Sequence, residues 1–262
     1  MSSPYGLLPG LEVAFDHEMA LLECGAKRLV KREFATVLDR TRALEAGFHV
    51  AVAEGGYGLD PKTAEVRLDW GAHLTLFIGD ETAAQRALEL ERVERHGSGD
   101  ERESAMAELG SVLGYPACCV EAYGAQDDQG ETATFERLLS GGPREGLPPS
   151  NNLFLLSQQL ISHFPCDLAC GASAAIGDRA LGTLRALDSQ AADALLELLA
   201  APVTVWDRVR FLVEHPRHGL CHGGRLTEEP RLFSHPGFNA FVGGLPHRPD
   251  GGVRLVFDGG VA

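Results

Sequence analysis

Lysine is nearly missing from this chain of 262 residues: Lys27, Lys31 and Lys62 are the only three, and arginine supplies the rest of its 23 basic side chains. Against them stand 37 acidic side chains and a formal net charge of −14. A chain so charged repels polyphosphate, and no stretch of it gathers a dense basic patch, so nucleic acid is not expected as a partner. The densest basic run, Lys27-Arg28 with Lys31-Arg32, sits among apolar residues and reads as a solvated helix face. Long apolar runs are missing too. Nothing approaches the ~20 residues that span a bilayer, and Met1-Ser-Ser-Pro-Tyr-Gly-Leu-Leu-Pro9 has neither a basic n-region nor a continuous apolar h-region. The expectation is a cytoplasmic protein with no membrane association.

Several catalytic signatures are absent as well. There is no Walker-type loop, no dinucleotide-binding fingerprint, no G-x-S-x-G, no three-cysteine radical-SAM pattern and no C-x-x-C. Gly55-Gly-Tyr-Gly58 reads as a turn rather than a phosphate cradle. What is present is the composition of a folded globule, 44% hydrophobic and 23% charged, with six cysteines. In a reducing compartment those cysteines point to metal binding, catalysis or burial before they point to disulfides.

The hydropathy pattern predicts an α+β fold, helix-rich with a small, mainly antiparallel sheet. Three stretches of one compact unit are expected: 1–98, a helix with a small sheet; 99–200, helices carrying the cysteine motifs; and 201–262, short strands that join the first sheet. In the first stretch, apolar residues at three- and four-residue steps from Leu11 to Ala46 predict a long helix, or two, with Cys24 on its buried face. Extended runs follow at Phe48–Ala53, Glu65–Trp70 and His73–Ile78. Asp80 is a natural N-cap, and Ser98-Gly-Asp-Glu101 fits a capping box for a helix that stops before Pro116. Residues 126–150 read as a polar loop or lid with a helical turn near Phe135–Leu139, and Asn151–His163 as a helix. The second cysteine pair then opens another helix, Ala191–Leu199 forms the next, and Val203–Val213 and Val253–Phe257 read as strands.

Four cysteines form two tight pairs in matching settings. In Leu113-Gly-Tyr-Pro-Ala-Cys118-Cys119 and in His163-Phe-Pro-Cys166-Asp-Leu-Ala-Cys170, a helix stops, a proline turns the chain and thiols begin the next element. A helix start presents unpaired N–H groups and the positive end of the macrodipole, which favour thiolate, the form that binds metals and attacks electrophiles. Cys166 and Cys170, four apart, are expected on one helix face. The C-x3-C half suits a structural zinc. Adjacent Cys118 and Cys119 suit zinc poorly, because neighbouring side chains diverge, whereas an iron–sulfur cluster can take them on different irons. An iron–sulfur cluster is therefore preferred, serving redox or sulfur-transfer chemistry. A structural zinc in an interaction protein and a metal-free thiol–disulfide protein are the alternatives.

These two strings resemble the family catalogued as Domain of Unknown Function 483, known mainly from archaea and some bacteria. Its Gly-Tyr-Pro-x-Cys-Cys and later His-x-Pro-Cys-x-x-x-Cys elements are matched residue by residue within Glu108–Ala175. The resemblance implies that the four cysteines and His163 belong together; it implies no activity. A weaker likeness is to the cysteine-rich modules of heterodisulfide reductases and to epoxyqueuosine reductases. Here Val120 follows the pair where the former has glycine, so that likeness is one of chemistry only.

His163 is a candidate fifth ligand or acid–base group beside the thiolates. A second candidate metal site is His218, Cys221 and His222, with His215 or His235 completing it. Partners are expected to be a small molecule or another protein.

Overall fold

The computed structural model describes residues 17–53, 58–59, 66–67, 74–125, 130–153, 159–206, 211–215, 219–222, 225–226 and 252–258. The fold is α+β, with eight α-helices and ten strands among those residues. None of these helices is long and apolar enough to cross a membrane. The chain divides into two compact units, 21–125 and 126–262 together with 1–20.

The 21–125 unit is built on a three-stranded antiparallel sheet. Its centre is β5 (Leu74–Gly79), flanked by β1 (Leu29–Ala35) and β2 (His49–Val52). Leu76, Phe77 and Ile78 are all buried, so both faces of this central strand are covered. The pairing runs from Leu29↔Gly79 to Ala35↔Leu74 on one side and from His49↔Gly79 to Val52↔Leu76 on the other. A hairpin of β3 (Gly58–Leu59) and β4 (Val66–Arg67) stands as a separate two-stranded piece.

The predicted long helix is therefore wrong in its middle. The first helix, α1 (His17–Glu23), ends just before Gly25 at φ +73°; β1 follows, and only then α2 (Val37–Glu45). Leu29-Val-Lys-Arg-Glu-Phe-Ala35 is compatible with either period, and pairing with β5 decides for strand. Cys24 is exposed beyond α1 rather than buried. Of the predicted strands, β2, β4 and β5 fall within the expected runs or one residue beyond them.

Against the sheet lies α3 (Glu81–His96), and α4 (Gly99–Val112) packs on α3. Asp80 caps α3 as expected, its Oδ1 accepting from the Ala83 amide at 3.0 Å. Ser98 is the N-cap of α4 but makes no side-chain cap bond, so the predicted capping box is not formed. Leu29, Phe77, Ala87, Leu90, Leu109 and Leu113 share one core, and half-buried Tyr115 packs on it.

The 126–262 unit contains α6 (Gly130–Ser140), α7 (Gly171–Leu187) and α8 (Ser189–Leu199). It also holds a five-stranded antiparallel sheet ordered β10-β6-β7-β8-β9: Val253–Leu255, Val203–Val205, Phe211–His215, Gly219–His222 and Arg225–Leu226. This sheet is separate from the first one, contrary to expectation. Where a loop with one turn was predicted, α6 is a helix of 11 residues. The predicted helix Asn151–His163 is not found among its described residues. Pro149–Asn151 is a single 3-10 turn, and 159–163 have no helix.

Candidate metal centre

The first thiol pair is placed by a helix stop. Leu113 caps α4, and Gly114 follows at φ +76°, a conformation glycine adopts without a Cβ penalty. The Gly114 amide then donates to the Ser111 carbonyl at 3.0 Å and the Tyr115 amide to that of Gly110 at 2.9 Å, which is a Schellman ending. Gly114, not Pro116 alone, ends α4. Pro116 caps α5 (Ala117–Gly124), with its carbonyl accepting from Cys119 and Val120.

Cys118 and Cys119 therefore stand in the first turn of α5. Cys118 is exposed and Cys119 buried, yet their sulfurs are only 3.9 Å apart. The thiolates of a tetrahedral zinc with Zn–S near 2.3 Å stand about 3.8 Å apart. Adjacent cysteines thus do not diverge here as expected. Next to them, a Cβ on Gly110 of α4 would come within 2.7 Å of Val120 Cγ2, so the two helices touch closely there.

The second pair is not on a helix face. Cys170 is the N-cap of α7, and Cys166 stands four residues earlier, in an irregular turn. The helix cannot begin at Cys166 because Asp167 takes over the local bonding: its carbonyl accepts from the Cys170 amide at 2.9 Å and its Oδ1 from the Ala169 amide at 2.7 Å. Both thiols are half-buried.

Side chains from elsewhere in this unit hold the turn. Arg137 of α6 donates to the Cys166 carbonyl and, at 3.4 Å, to that of Pro165. Asn151, wholly buried, uses its Nδ2 to donate to the Leu168 and Cys170 carbonyls at 2.9 and 3.0 Å. Phe164 meets Phe135 edge to face at 5.7 Å. Neither Arg137 nor Asn151 was anticipated; a single Arg on a helix and an Asn after Pro-Pro-Ser carry no spacing signal.

The sulfurs of Cys118, Cys119, Cys166 and Cys170 all lie within 4.8 Å of one another, and such a group can hold a metal ion. No other group of three or more His, Cys, Asp or Glu with that capacity occurs among the described residues. None of these four thiols forms a disulfide, nor does Cys24. His163 is outside the group of four; its Nε2 lies 3.0 Å from Oγ of buried Ser173. Of the second candidate site, His218 and His235 lie outside the described residues. His215 is in β7, and Cys221 and His222 are in β8, where they pair with Val213 and Leu212.

No family model matches the chain, and no curated protein or solved structure matches it either.

Proposed function

We propose that this is a metal-binding protein whose four thiolates, Cys118, Cys119, Cys166 and Cys170, take one tetrahedral zinc ion in a closed, structural site. The observation that carries the reading is the compactness of the group: four sulfurs within 4.8 Å of one another, and one pair already at 3.9 Å. A single ion needs separations of about 3.8 Å, a contraction of about 1 Å at most. A four-iron cluster binds each thiolate to a different iron, with irons and sulfides between them, so its ligands must stand farther apart. The same spacing supports one ion over the iron–sulfur cluster that the adjacent cysteines first favoured. All-thiolate ligation selects zinc among abundant divalent ions, since hard cations prefer oxygen.

Four protein ligands leave no open position, which is the mark of a structural rather than a catalytic zinc. The likeness to Domain of Unknown Function 483 is part of this reading, because the two strings that carry it supply all four ligands. Elemental analysis after oxygen-free purification tests it. One zinc per chain, lost in Cys118→Ser or Cys170→Ser, is the expected result. A brown protein containing iron and acid-labile sulfide would replace zinc by a cluster. A metal-free protein that also takes up no added zinc would leave thiol–disulfide chemistry.

A further inference from the structure

We infer that Asn151 and Arg137 are positioning residues of this metal site, holding the Cys166–Cys170 turn in its binding shape before any metal arrives; the inference rests on the zinc reading above. Structural zinc turns commonly gain their shape from the ion, because an isolated loop lacks the bonds to hold it. Here the bonds are already supplied. Of the six carbonyls from Pro165 to Cys170, Arg137 takes those of Pro165 and Cys166, and Asn151 takes those of Leu168 and Cys170. The Cys170 amide takes that of Asp167. Five of the six are thus engaged, four of them by side chains 17 to 29 positions away in sequence.

The geometry of each donor fits the task. Both hydrogens of the Asn151 amide are used, so its orientation is fixed: the reversed amide would set an oxygen against two carbonyls. Its own Oδ1 is buried with no hydrogen-bond partner, so the residue is held there at a cost that the two donated bonds must offset. Arg137 spans successive carbonyls with its two terminal nitrogens, which a planar fork can do and an ammonium cannot do as well. It also brings a positive charge beside a centre that four thiolates and one divalent ion leave negative. Groups that orient ligands in this way typically change metal affinity about 10–100-fold when removed.

The test uses the full chain in two measurements. Hydrogen exchange over residues 165–171 is compared in zinc-free and zinc-loaded protein, and zinc affinity is measured by competition with a chromophoric chelator. The expected result is protection of the turn without zinc, and a 10–100-fold weaker affinity in Asn151→Ala and in Arg137→Met. Arg137→Lys, which keeps the charge but not the fork, should fall between Arg137→Met and the parent. If Asn151→Ala does not fold, the Arg137 pair decides alone. Protection that appears only with zinc, or variants that bind zinc as tightly as the parent, would overturn the positioning role and leave the zinc reading standing. A turn protected in a protein that takes up no zinc would overturn both.

Discussion

Replacing Gly110 with alanine puts a methyl group where Val120 already stands. In the last turn of α4 the substitution should still help, because alanine is favoured over glycine in a helix by up to about 1 kcal/mol. The new Cβ, however, would lie 2.7 Å from Val120 Cγ2 and 3.3 Å from its Cγ1. Valine in a helix has one strongly preferred rotamer, so its side chain cannot turn aside; α5 must move instead. Overpacking of this kind costs about 1–3 kcal/mol. The net effect expected for Gly110→Ala is thus between neutral and about 2 kcal/mol destabilising, against a propensity gain that would be seen alone if nothing were in the way. With Val120→Ala in the background the obstacle is gone, and Gly110→Ala should stabilise by about 1 kcal/mol. Urea unfolding of the four proteins in a double-mutant cycle, without metal, reads the coupling directly, and about 1–3 kcal/mol is predicted. Because Val120 directly follows Cys118-Cys119, zinc affinity should fall in Gly110→Ala and recover in the double variant. Stabilisation by the full ~1 kcal/mol in both backgrounds would refute the reasoning.

Two further predictions concern the charged groups between β1 and α3. Lys31 Nζ lies 3.0 Å from both Glu33 Oε1 and Glu91 Oε2, and Glu91, nearly fully buried, also pairs with Arg95. Burial alone would push the Lys31 pKa down, but the two carboxylates outweigh it and hold it above the ordinary lysine range. This contribution is complete at neutral pH and is lost only as pH rises through that raised pKa. Lys31→Met should therefore destabilise at pH 7, by less than the ~3–5 kcal/mol of a fully severed buried pair because Arg95 remains; an unchanged unfolding midpoint would contradict it. Burial pushes the Glu94 carboxyl up, aided by Glu91 and Glu33 and opposed by Lys31 and Arg102. A raised carboxyl favours the fold below its unfolded pKa and loses that contribution as pH rises through the folded one. Glu94→Gln should accordingly stabilise at pH 7 and match the parent below about pH 4, where both side chains are neutral; equal stability at both pH values would count against it.

Local signals carried much of this fold. Asp80 before an apolar-periodic run announced α3, and the strand runs around Ala51 and Leu76 lie where alternation and turn residues put them. What local pattern could not supply was a partner. Leu29–Ala35 is a strand because β5, some 45 residues away, pairs with it; its own residues suit a helix as well. Likewise α6 lies in a stretch whose flanking glycines and prolines dominated its reading. The thiol site divides the same way. Two cysteine pairs, each after an aromatic-proline stop, marked the four sulfurs that come together, and Gly114 was visible beside them. Their spacing was not visible: adjacent cysteines in a first helical turn stand close enough for one ion, where sequence reasoning had them diverge. Arg137 and Asn151 were invisible for the plainest reason, since each acts only through carbonyls far along the chain.

X-ray absorption at the zinc edge of the protein as purified tests the central claim most directly. The account predicts a single shell of four sulfurs at about 2.3 Å, with no metal–metal scattering. A shell containing nitrogen or oxygen in place of any of the four sulfurs would contradict it, as would zinc-free protein whose iron edge shows iron neighbours.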